Sequence, residues 1–383
     1  MAKKVEALGE NLTVVTGDKN FKFVLGGSLT ADFFYNRARP VAPGIPFFLE
    51  PASPFGFNQD TFDANARQTT LFAMVSGPKI GDFNSSALLA VCLFNDALIV
   101  DRYGILPIEA YVQLKNDDWR FAAGLQFDVF NPLNPNTLAF SFLGGSGNTG
   151  AGFPGQLRIE RYLYPADDTQ VTFTIALSEP ISTTVNNELV LSEDNGWPNV
   201  ESRISLALGS MQGEGPLAKR PFEVGVSGLV GQIRTTDQIG GSRVIADVWG
   251  LGSDLRWSIT SRFGFMAEVF TGQTLGTYTG GILQNVNAVT HGGVHASGGW
   301  AEVFYYICPD ILHVHLGYGI DDPLDSNLAP GQPVRNDTYF ANLVWDVSKN
   351  FRLGCELTYK KTAYTVLSNN EGLGIQTQVQ YKF

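Results

Sequence analysis

Strict alternation of apolar and polar residues is the dominant pattern along this chain. From Phe351 to Tyr359, the odd-numbered positions are apolar and the even-numbered positions are polar or glycine. The run from Trp119 to Phe127 alternates similarly, and no helical period of comparable length competes with it. Because successive side chains of a strand point to opposite faces of a sheet, the pattern predicts long β-strands with one apolar and one polar face.

Runs of this kind recur from one end of the chain to the other and predict sixteen strands. The predicted strands cover residues 21–35, 64–76, 85–95, 105–115, 118–127, 155–165, 169–178, 199–209, 220–232, 242–256, 262–272, 295–308, 311–320, 337–347, 350–363 and 373–383. Short turns such as Asn116-Asp117 and Thr260-Ser261 alternate with long connections. The long connections are 36–63, 128–154, 179–198, 273–294 and 321–336, and the turns at 77–84 and 210–219 are also longer than a tight reversal.

Short turns at one end and long loops at the other are typical of a transmembrane barrel with an even number of strands, short periplasmic turns and long extracellular loops. A sheet this wide encloses a lumen too broad for side chains to fill, so its polar face must line water and its apolar face must contact hydrocarbon. We therefore expect an all-β, 16-stranded antiparallel barrel at residues 21–383, after an N-terminal lead-in at residues 1–20. Aromatic residues near strand ends fit interfacial girdles; they are Trp119, Tyr162, Tyr164, Trp197, Trp257, Tyr359 and Tyr381.

Composition and charge exclude several classes of protein. Asp, Glu, Lys and Arg make up only 16% of the chain, against about 25% in ordinary soluble domains. The net charge of −11 and the lack of a Lys/Arg cluster argue against nucleic-acid binding. Three scattered cysteines form neither a disulfide framework nor a metal motif. No apolar run reaches the ~18–20 residues of a membrane-spanning helix, and no signal-peptide core follows the first four residues.

The C-terminal residues give a second indication of a membrane barrel. The segment from Gln378 alternates and closes on Tyr381 and the terminal Phe383. This ending resembles the last-strand signal by which the barrel-assembly machinery recognises outer-membrane proteins. The resemblance implies that this machinery and the lipid of the outer membrane are partners of the chain.

A narrower resemblance rests on the order of four short segments. They are Phe21-Lys22-Phe23-Val24-Leu25-Gly26-Gly27, Ala66-Arg67-Gln68-Thr69-Thr70, Ala123-Gly124-Leu125-Gln126 and Gln156-Leu157-Arg158-Ile159-Glu160-Arg161-Tyr162. In this order they are similar to the DcaP-like trimeric porins, whose members often carry an amphipathic coiled coil before the barrel. Val5 to Asp18 would be the stub of that coiled coil or an ordered lead-in. The resemblance implies a homotrimeric, passive outer-membrane channel for small, often anionic solutes.

The candidate site is the constriction that such a channel needs. In porin-like barrels the third long loop folds inward, and here that loop, 128–154, has Asp128 as its only charge. The loop residues expected to line the pore are Asp128, Asn131, Asn134 and Asn136, and the wall residues are Arg67, Glu109, Arg120, Arg158, Glu160, Glu201 and Arg203. The planar guanidinium group of Arg suits carboxylate-bearing solutes. The alternative is that Arg158 with Glu160 and Arg203 with Glu201 neutralise one another and merely stiffen the wall.

The histidines and the known catalytic motifs give weaker signals. His291 and His295 have metal-like spacing only on a helix, whereas here they lie in a glycine-rich segment. His313 and His315 share one strand face, but no Cys or carboxylate is visibly placed to complete a metal site, so we expect a solvated pair in the lumen. No hydrolase, metalloprotease or phosphate-loop motif occurs. We therefore expect neither an enzyme nor a metal or other cofactor.

One strand, 85–94, is apolar on both faces, which predicts a subunit interface over Leu89 and Val91. The predicted function is that of a homotrimeric outer-membrane porin that passes small hydrophilic solutes with a mild preference for anions. The alternative is a barrel that acts mainly through acidic long loops as a surface binding or structural protein. The acids expected there are Asp60, Asp63, Asp96, Asp101, Glu188, Glu193, Asp194, Asp321, Asp322 and Asp325.

Overall fold

The structure, a computed structural model, describes residues 6–8, 11–15, 21–42, 44–53, 59–94, 103–180, 190–191, 196–213, 218–236 and 243–383. No helix in this part of the chain is long and apolar enough to cross a membrane. Short 3₁₀ helices lie at Gly276–Tyr278, Gly281–Leu283 and Asp325–Asn327. The strands are β1 (Glu6–Leu8), β2 (Asn11–Val15), β3 (Lys22–Asn36), β4 (Thr61–Asn65), β5 (Thr70–Ile80), β6 (Phe83–Phe94), β7 (Tyr103–Lys115), β8 (Trp119–Leu125), β9 (Gly155–Ala166), β10 (Thr169–Ser178), β11 (Val190–Leu191), β12 (Asn199–Leu208), β13 (Phe222–Thr236), β14 (Arg243–Ser258), β15 (Phe263–Gln273), β16 (His295–Cys308), β17 (Leu312–Pro323), β18 (Pro333–Asp346), β19 (Phe351–Tyr364) and β20 (Asn370–Lys382).

Sixteen of these strands, β3, β5–β10 and β12–β20, form one closed antiparallel barrel. Strands that follow one another in the chain are neighbours in the sheet, and the seam is closed by β20 and β3, which pair from Gly374 with Asn36 to Lys382 with Ser28. β4 extends the second barrel strand, because β3 pairs with β5 along its first half and with β4 along its second half. β1 and β2 form a hairpin that pairs with the start of β3. The predicted 16-stranded antiparallel barrel is therefore confirmed.

The exposed and buried faces of the strands are inverted relative to a soluble protein. On β20, Leu373, Ile375 and Val379 are 51%, 42% and 37% exposed, whereas Gln376 and Gln378 between them are buried. Leu, Ile, Val and aromatic side chains are likewise exposed on strands all around the barrel. So much apolar surface is removed from water only when hydrocarbon surrounds it, so the outer face is that of a transmembrane barrel.

Most predicted strand boundaries hold to within a few residues, but some connections differ. The long turn expected at 77–84 is a tight reversal at Gly81-Asp82, because β5 continues to Ile80 and β6 begins at Phe83. Gly81 has a φ of +59°, which glycine adopts without strain. The strand predicted at 118–127 ends at Leu125.

Several side chains lie elsewhere than the alternation pattern suggested. Tyr162, expected in an aromatic girdle, is buried inside the barrel and donates a hydrogen bond to Glu160. Of the acids expected in long loops, Asp63 lies on β4 and Asp321 and Asp322 lie on β17. The acids that fall outside the described residues are Asp96, Asp101, Glu188, Glu193 and Asp194.

Three long loops fill the inside of the barrel near its long-loop end. Their residues build an apolar cluster with the inward face of β6, made of Ala42, Ile45, Phe47, Phe48, Cys92, Phe94, Ile282 and Leu283. A second cluster packs Phe130 and Tyr278 against inward residues of β13, β14, β15 and β16. The loops are also hydrogen-bonded to the wall: Leu49 donates from its backbone to Thr362 (2.9 Å), and Asn336 donates to the carbonyl of Phe47 (3.1 Å).

This cluster changes the interpretation of β6, which is apolar on both faces. Its inward residues Cys92 and Phe94 are covered by loops of the same chain, since Phe94 stacks on Phe140 with ring centroids 4.5 Å apart. The inward face therefore needs no second subunit as cover. Only the outward face, where Leu89 is 48% exposed, is available for contact with a second subunit.

Candidate functional site: a loop held inside the barrel

Residues 126–154, which connect β8 to β9, run across the inside of the barrel and are called here the inner loop. Carboxylates on four wall strands, β12, β15, β16 and β19, accept hydrogen bonds from its backbone N–H groups. The pairs are Glu201 with Val129 (2.6 Å) and Phe130 (3.0 Å), Glu268 with Leu133 (2.7 Å), Glu302 with Asn136 (2.7 Å), and Glu356 with Leu138 (2.9 Å). These contacts reach strands far around the barrel from β8 and β9, so the loop crosses the lumen.

The four anchoring carboxylates are almost completely buried, with Glu201 0% and Glu268 1% exposed. A buried carboxylate is costly unless hydrogen bonds compensate its lost hydration. The backbone N–H groups of an irregular buried loop need partners just as strongly. Each group satisfies the other, and leaving a buried donor or acceptor unpaired would cost about 1–3 kcal/mol. The path of the inner loop is therefore fixed by the wall.

A cavity of about 220 Å³ lies between the inner loop and the wall formed by β9, β10, β12 and β13. It is called here the charged cavity, because its lining includes Asp128, Arg158, Glu160, Arg203 and Glu223. The guanidinium of Arg120 binds Glu160 at 2.6 Å, and that of Arg158 lies 3.8 Å from the same carboxylate. Two guanidinium groups therefore share one carboxylate at this side of the lumen.

The pairing expected between Arg203 and Glu201 is wrong. Arg203 binds Asp254 on β14 at 2.5 Å and Glu223 on β13 at 3.1 Å. Glu201 lies beneath the inner loop, where it also accepts a hydrogen bond from the hydroxyl of Tyr278 at 3.1 Å. Glu201 and Arg203 lie on the same face of β12, so alternation alone could not show that they have different partners.

Two further predicted wall residues occupy different surroundings. Arg67 is only 2% exposed, is 3.5 Å from Asp63 and lies over the ring of Phe94, so it is buried rather than open to the lumen. Glu109, on β7, interacts electrostatically with Arg120 and Arg158. Glu109 therefore lies near these two guanidinium groups, whereas Arg67 is packed against Asp63 and Phe94.

The asparagines of the inner loop are mainly structural. Asn131, 0% exposed, donates its side-chain amide to Thr149 (2.8 Å). Asn134 accepts a hydrogen bond from Asn148 across the loop at 2.8 Å. Asn136 is exposed and donates its side-chain amide to Glu302 at 2.7 Å. Asn136 also lines a cavity beside the inner loop.

That second cavity, of about 300 Å³, lies on the other side of the inner loop and is called here the amide cavity. Its wall comes mainly from β3, β5 and the strands β17 to β20. The neutral polar residues that line it are Ser28, Gln68, Thr70, Asn136, Thr137, Gln378 and Gln380, and the aromatic residues are Phe127, Phe140 and Phe142. The remaining charged or titratable residues of its lining are His313, His315 and Arg352.

His313 and His315 are not the solvated pair expected from the sequence. Nδ1 of His313 lies 2.7 Å from Nε2 of His315, whose own Nδ1 lies 2.6 Å from the Glu302 carboxylate. His315 is 3% exposed. Because a carboxylate accepts the Nδ1 hydrogen of His315, its Nε2 accepts from His313 when both rings are neutral. The two histidines thus help to hold the Glu302 carboxylate, which accepts the side-chain hydrogen bond of Asn136. No group of three or more His, Cys, Asp or Glu among the described residues could hold a metal ion.

Asp128 is the charged residue of the inner loop, and it is 2% exposed. Burial, assisted by the nearby Glu201, raises the pKa of the Asp128 carboxyl well above its ordinary value, although Arg158 opposes this rise. Its Oδ2 atom is buried and makes no hydrogen bond. The folded protein therefore favours the protonated form of Asp128.

We expect Asp128→Asn to raise the thermal stability of the barrel at pH 8 but not at pH 4. Because the folded pKa is raised, ionisation removes stability as the pH rises from the unfolded value, about 3.9, through the folded value. The stability of the variant relative to the wild type should therefore increase as the pH rises between these two pKa values. The measurement is the temperature at which the folded band is lost in heat-modifiability gels at pH 4, 6 and 8. The exposed Asp168→Asn is the control, and a pH-independent difference would contradict the assignment.

The anchoring residues Glu268, Glu302 and Glu356 were missed in the sequence, although a signal for them exists. Each is a single acid within an apolar run, and no basic residue stands two positions away on the same strand face. A carboxylate on an inward face without a neighbouring cation requires N–H donors from elsewhere. A loop that crosses the lumen supplies them.

Neither a family model nor a curated protein sequence matches this chain. Among solved structures, the outer membrane channel DcaP of Acinetobacter baumannii matches with a TM-score of 0.71 and 16% identity, over 96% of this chain and 99% of that chain. The fold is that of a DcaP-like porin. An anion-selective porin from Comamonas acidovorans matches with a TM-score of 0.59 and 10% identity, over 95% of this chain and 100% of the other. OmpF of Salmonella typhi, in complex with daunomycin, matches with a TM-score of 0.60 and 12% identity, over 96% and 99%.

Proposed function

We propose that this chain is an outer-membrane porin through which small hydrophilic solutes diffuse passively, with a mild preference for anions. The observation that carries the proposal is a closed 16-stranded barrel whose apolar face points outward and whose polar face surrounds an inner loop with open cavities beside it. Porin barrels of about 16–18 strands leave an aqueous channel. The matched structures include an outer membrane channel and an anion-selective porin. The proposal is for a channel and not for an enzyme.

The mild preference for anions rests on the balance of charge in the charged cavity. Arg203 is neutralised by Asp254 and Glu223. Arg158 shares Glu160 with Arg120, and the raised pKa of Asp128 weakens the next negative charge beside it. Glu109 offsets part of this positive potential. Charges in the outer loops contribute little, since salt screens them beyond about 8–10 Å.

We expect the double substitution Arg158→Gln with Arg203→Gln to move the reversal potential in a salt gradient from weak anion selectivity towards cation selectivity. The single-channel conductance should change little, because the four carboxylates that hold the inner loop across the lumen are unchanged. Arg161→Gln is a matched control, since Arg161 lies outside the lumen against Trp119 and pairs with Asp118 at 3.1 Å. A wild-type channel that is clearly cation-selective, or a reversal potential that the double substitution leaves in place, would refute the anion preference.

We also propose that the chain assembles as a homotrimer through the outward face of β6. Leu89 on this face is 48% exposed, and Val91 pairs with Leu71, which is 44% exposed. Leu89→Arg or Val91→Arg should convert trimers to monomers, because an unpaired charge buried in an apolar contact costs several kcal/mol. The measurement is light scattering of the folded protein in detergent. Leu251→Arg on β14, at a position 59% exposed, places the same charge elsewhere on the outer face and should leave the trimer intact. If Leu89→Arg remains trimeric, the interface lies on other strands.

A further inference from the structure

The two cavities beside the inner loop differ in chemistry. Half of the residues that line the charged cavity are acidic or basic, whereas the lining of the amide cavity is mostly neutral. The cation of the amide cavity, Arg352, is bound by Asp346 through two hydrogen bonds of 2.8 Å. Asp346 also binds Lys382 at 3.3 Å. The lining of the amide cavity therefore offers an ionic solute fewer charged groups than the lining of the charged cavity.

The amide groups of this cavity are held in fixed orientations. Gln378 and Gln68 each donate to Asp32, both at 2.9 Å, and Asp32 is 0% exposed. Gln380 donates to Ser28 at 3.3 Å and to Thr30 at 3.2 Å. Because the amide nitrogens are engaged with the wall, the hydrogen-bonding capacity that remains at these side chains is mainly that of their carbonyl oxygens. The wall thus presents a row of oriented acceptors.

The opposite side of the amide cavity is aromatic and is supplied by the inner loop. Phe140 stacks on Phe94 and lies 5.4 Å from Phe142, centroid to centroid. These contacts fix the two rings beside the cavity. Ligand pockets commonly combine such apolar faces with a few placed polar groups, and about 300 Å³ is the lower end of their usual size range.

We propose that the amide cavity is a binding site for a neutral, polyhydroxylated solute of monosaccharide size. The hydroxyl groups of a sugar donate to the Gln378 and Gln380 carbonyl oxygens and accept from the guanidinium of Arg352, while the C–H face of its ring packs on Phe140. An ionic solute gains little, because Arg352, the permanently charged side chain of the lining, is already bound by Asp346. This inference rests on the proposed function in one respect, namely that the cavity lies on the path of solutes through the barrel.

The test uses D-glucose as probe and two readouts on the folded full chain. Titration calorimetry in detergent measures glucose binding whether or not the protein conducts, and glucose-dependent reduction of single-channel current measures it in the pore. A polyethylene glycol of similar mass, which has few hydroxyl donors, is the solute control. We expect saturable glucose binding and current reduction, and neither with the polymer.

The variants separate the two cavities. Gln380→Leu and, independently, Phe140→Leu should weaken glucose binding about tenfold, the effect of losing a hydrogen bond or an apolar contact of about 1.4 kcal/mol, and should leave the reversal potential unchanged. Arg158→Gln with Arg203→Gln should move the reversal potential and leave glucose binding unchanged.

Folding of each variant is checked by heat modifiability. The two single variants alter different parts of the fold, since Gln380 lies on β20 and Phe140 lies in the inner loop. Glucose binding that is absent in wild type, or unaltered in both single variants, overturns the site while ion conductance still supports the channel. Glucose binding without conductance supports the site and refutes the channel.

Discussion

Glu268→Ala combined with Glu302→Ala is expected to release the middle of the inner loop and to raise the single-channel conductance severalfold. Each substitution removes the acceptor of a backbone N–H, that of Leu133 or that of Asn136. A buried N–H group left without an acceptor costs about 1–3 kcal/mol, and the inner loop has no regular secondary structure that could supply another acceptor. The measurement is the distribution of current steps in planar bilayers, where the variant should also show more current noise than wild type.

The matched control for this variant is Glu268→Gln combined with Glu302→Gln. Glutamine keeps a carbonyl oxygen that can accept the same N–H group, so its conductance should stay closer to that of the wild type. The barrel itself should persist in both variants, because its strands pair without the inner loop. An alanine variant that folds and conducts like the wild type would show that these carboxylates do not hold the constriction.

Deletion of Phe383 is expected to slow insertion into membranes strongly while leaving the exposed loops unaffected. Phe383 exchanges two backbone hydrogen bonds with Gly27, at 3.0 and 3.1 Å, at the end of the seam between β20 and β3. Its ring is 42% exposed on the outer surface, where we propose that the barrel-assembly machinery and lipid contact it together with Tyr381. The measurement is the rate at which the heat-modifiable band forms during assembly into outer-membrane vesicles.

Two substitutions separate the side chain of Phe383 from its backbone. Phe383→Ala keeps the hydrogen bonds to Gly27 and tests the ring alone. Phe351→Ala removes an aromatic ring of similar exposure, 36%, from the neighbouring strand at the same end of the barrel. We expect slow assembly for the deletion and for Phe383→Ala, and near-normal assembly for Phe351→Ala. Assembly of the deletion at the wild-type rate would contradict a role for the C-terminal signal.

The strands were predictable because their signal is local. Alternation over ten or more residues placed the strands at 169–178 and 295–308, where the structure has β10 and β16 with those bounds. In a barrel the two faces meet water and hydrocarbon, so a period of two residues persists along every strand. The number of strands and their antiparallel order follow from this repetition.

The partners of inward charges were not predictable because they depend on neighbouring strands. Arg203 reaches across β13 to Asp254, and it can do so because position 225 is glycine. A Cβ atom at Gly225 would lie 2.5 Å from both Arg203 Nε and Asp254 Oδ2. No periodicity within β12 contains this information. The inward course of residues 37–42 and 44–50 was missed for a similar reason, although the apolar run from Ile45 to Leu49 is unusual for a loop in water.

Single-channel recording of the purified protein in planar lipid bilayers tests most directly whether this barrel is an open, passive channel. We predict discrete current steps that are linear in voltage, grow with salt concentration and require no added ligand or energy source. The heat-modifiable band confirms that the same sample is folded. A folded, membrane-inserted protein that gives no current steps above the bare bilayer would contradict the account and would favour a barrel that acts through its loops.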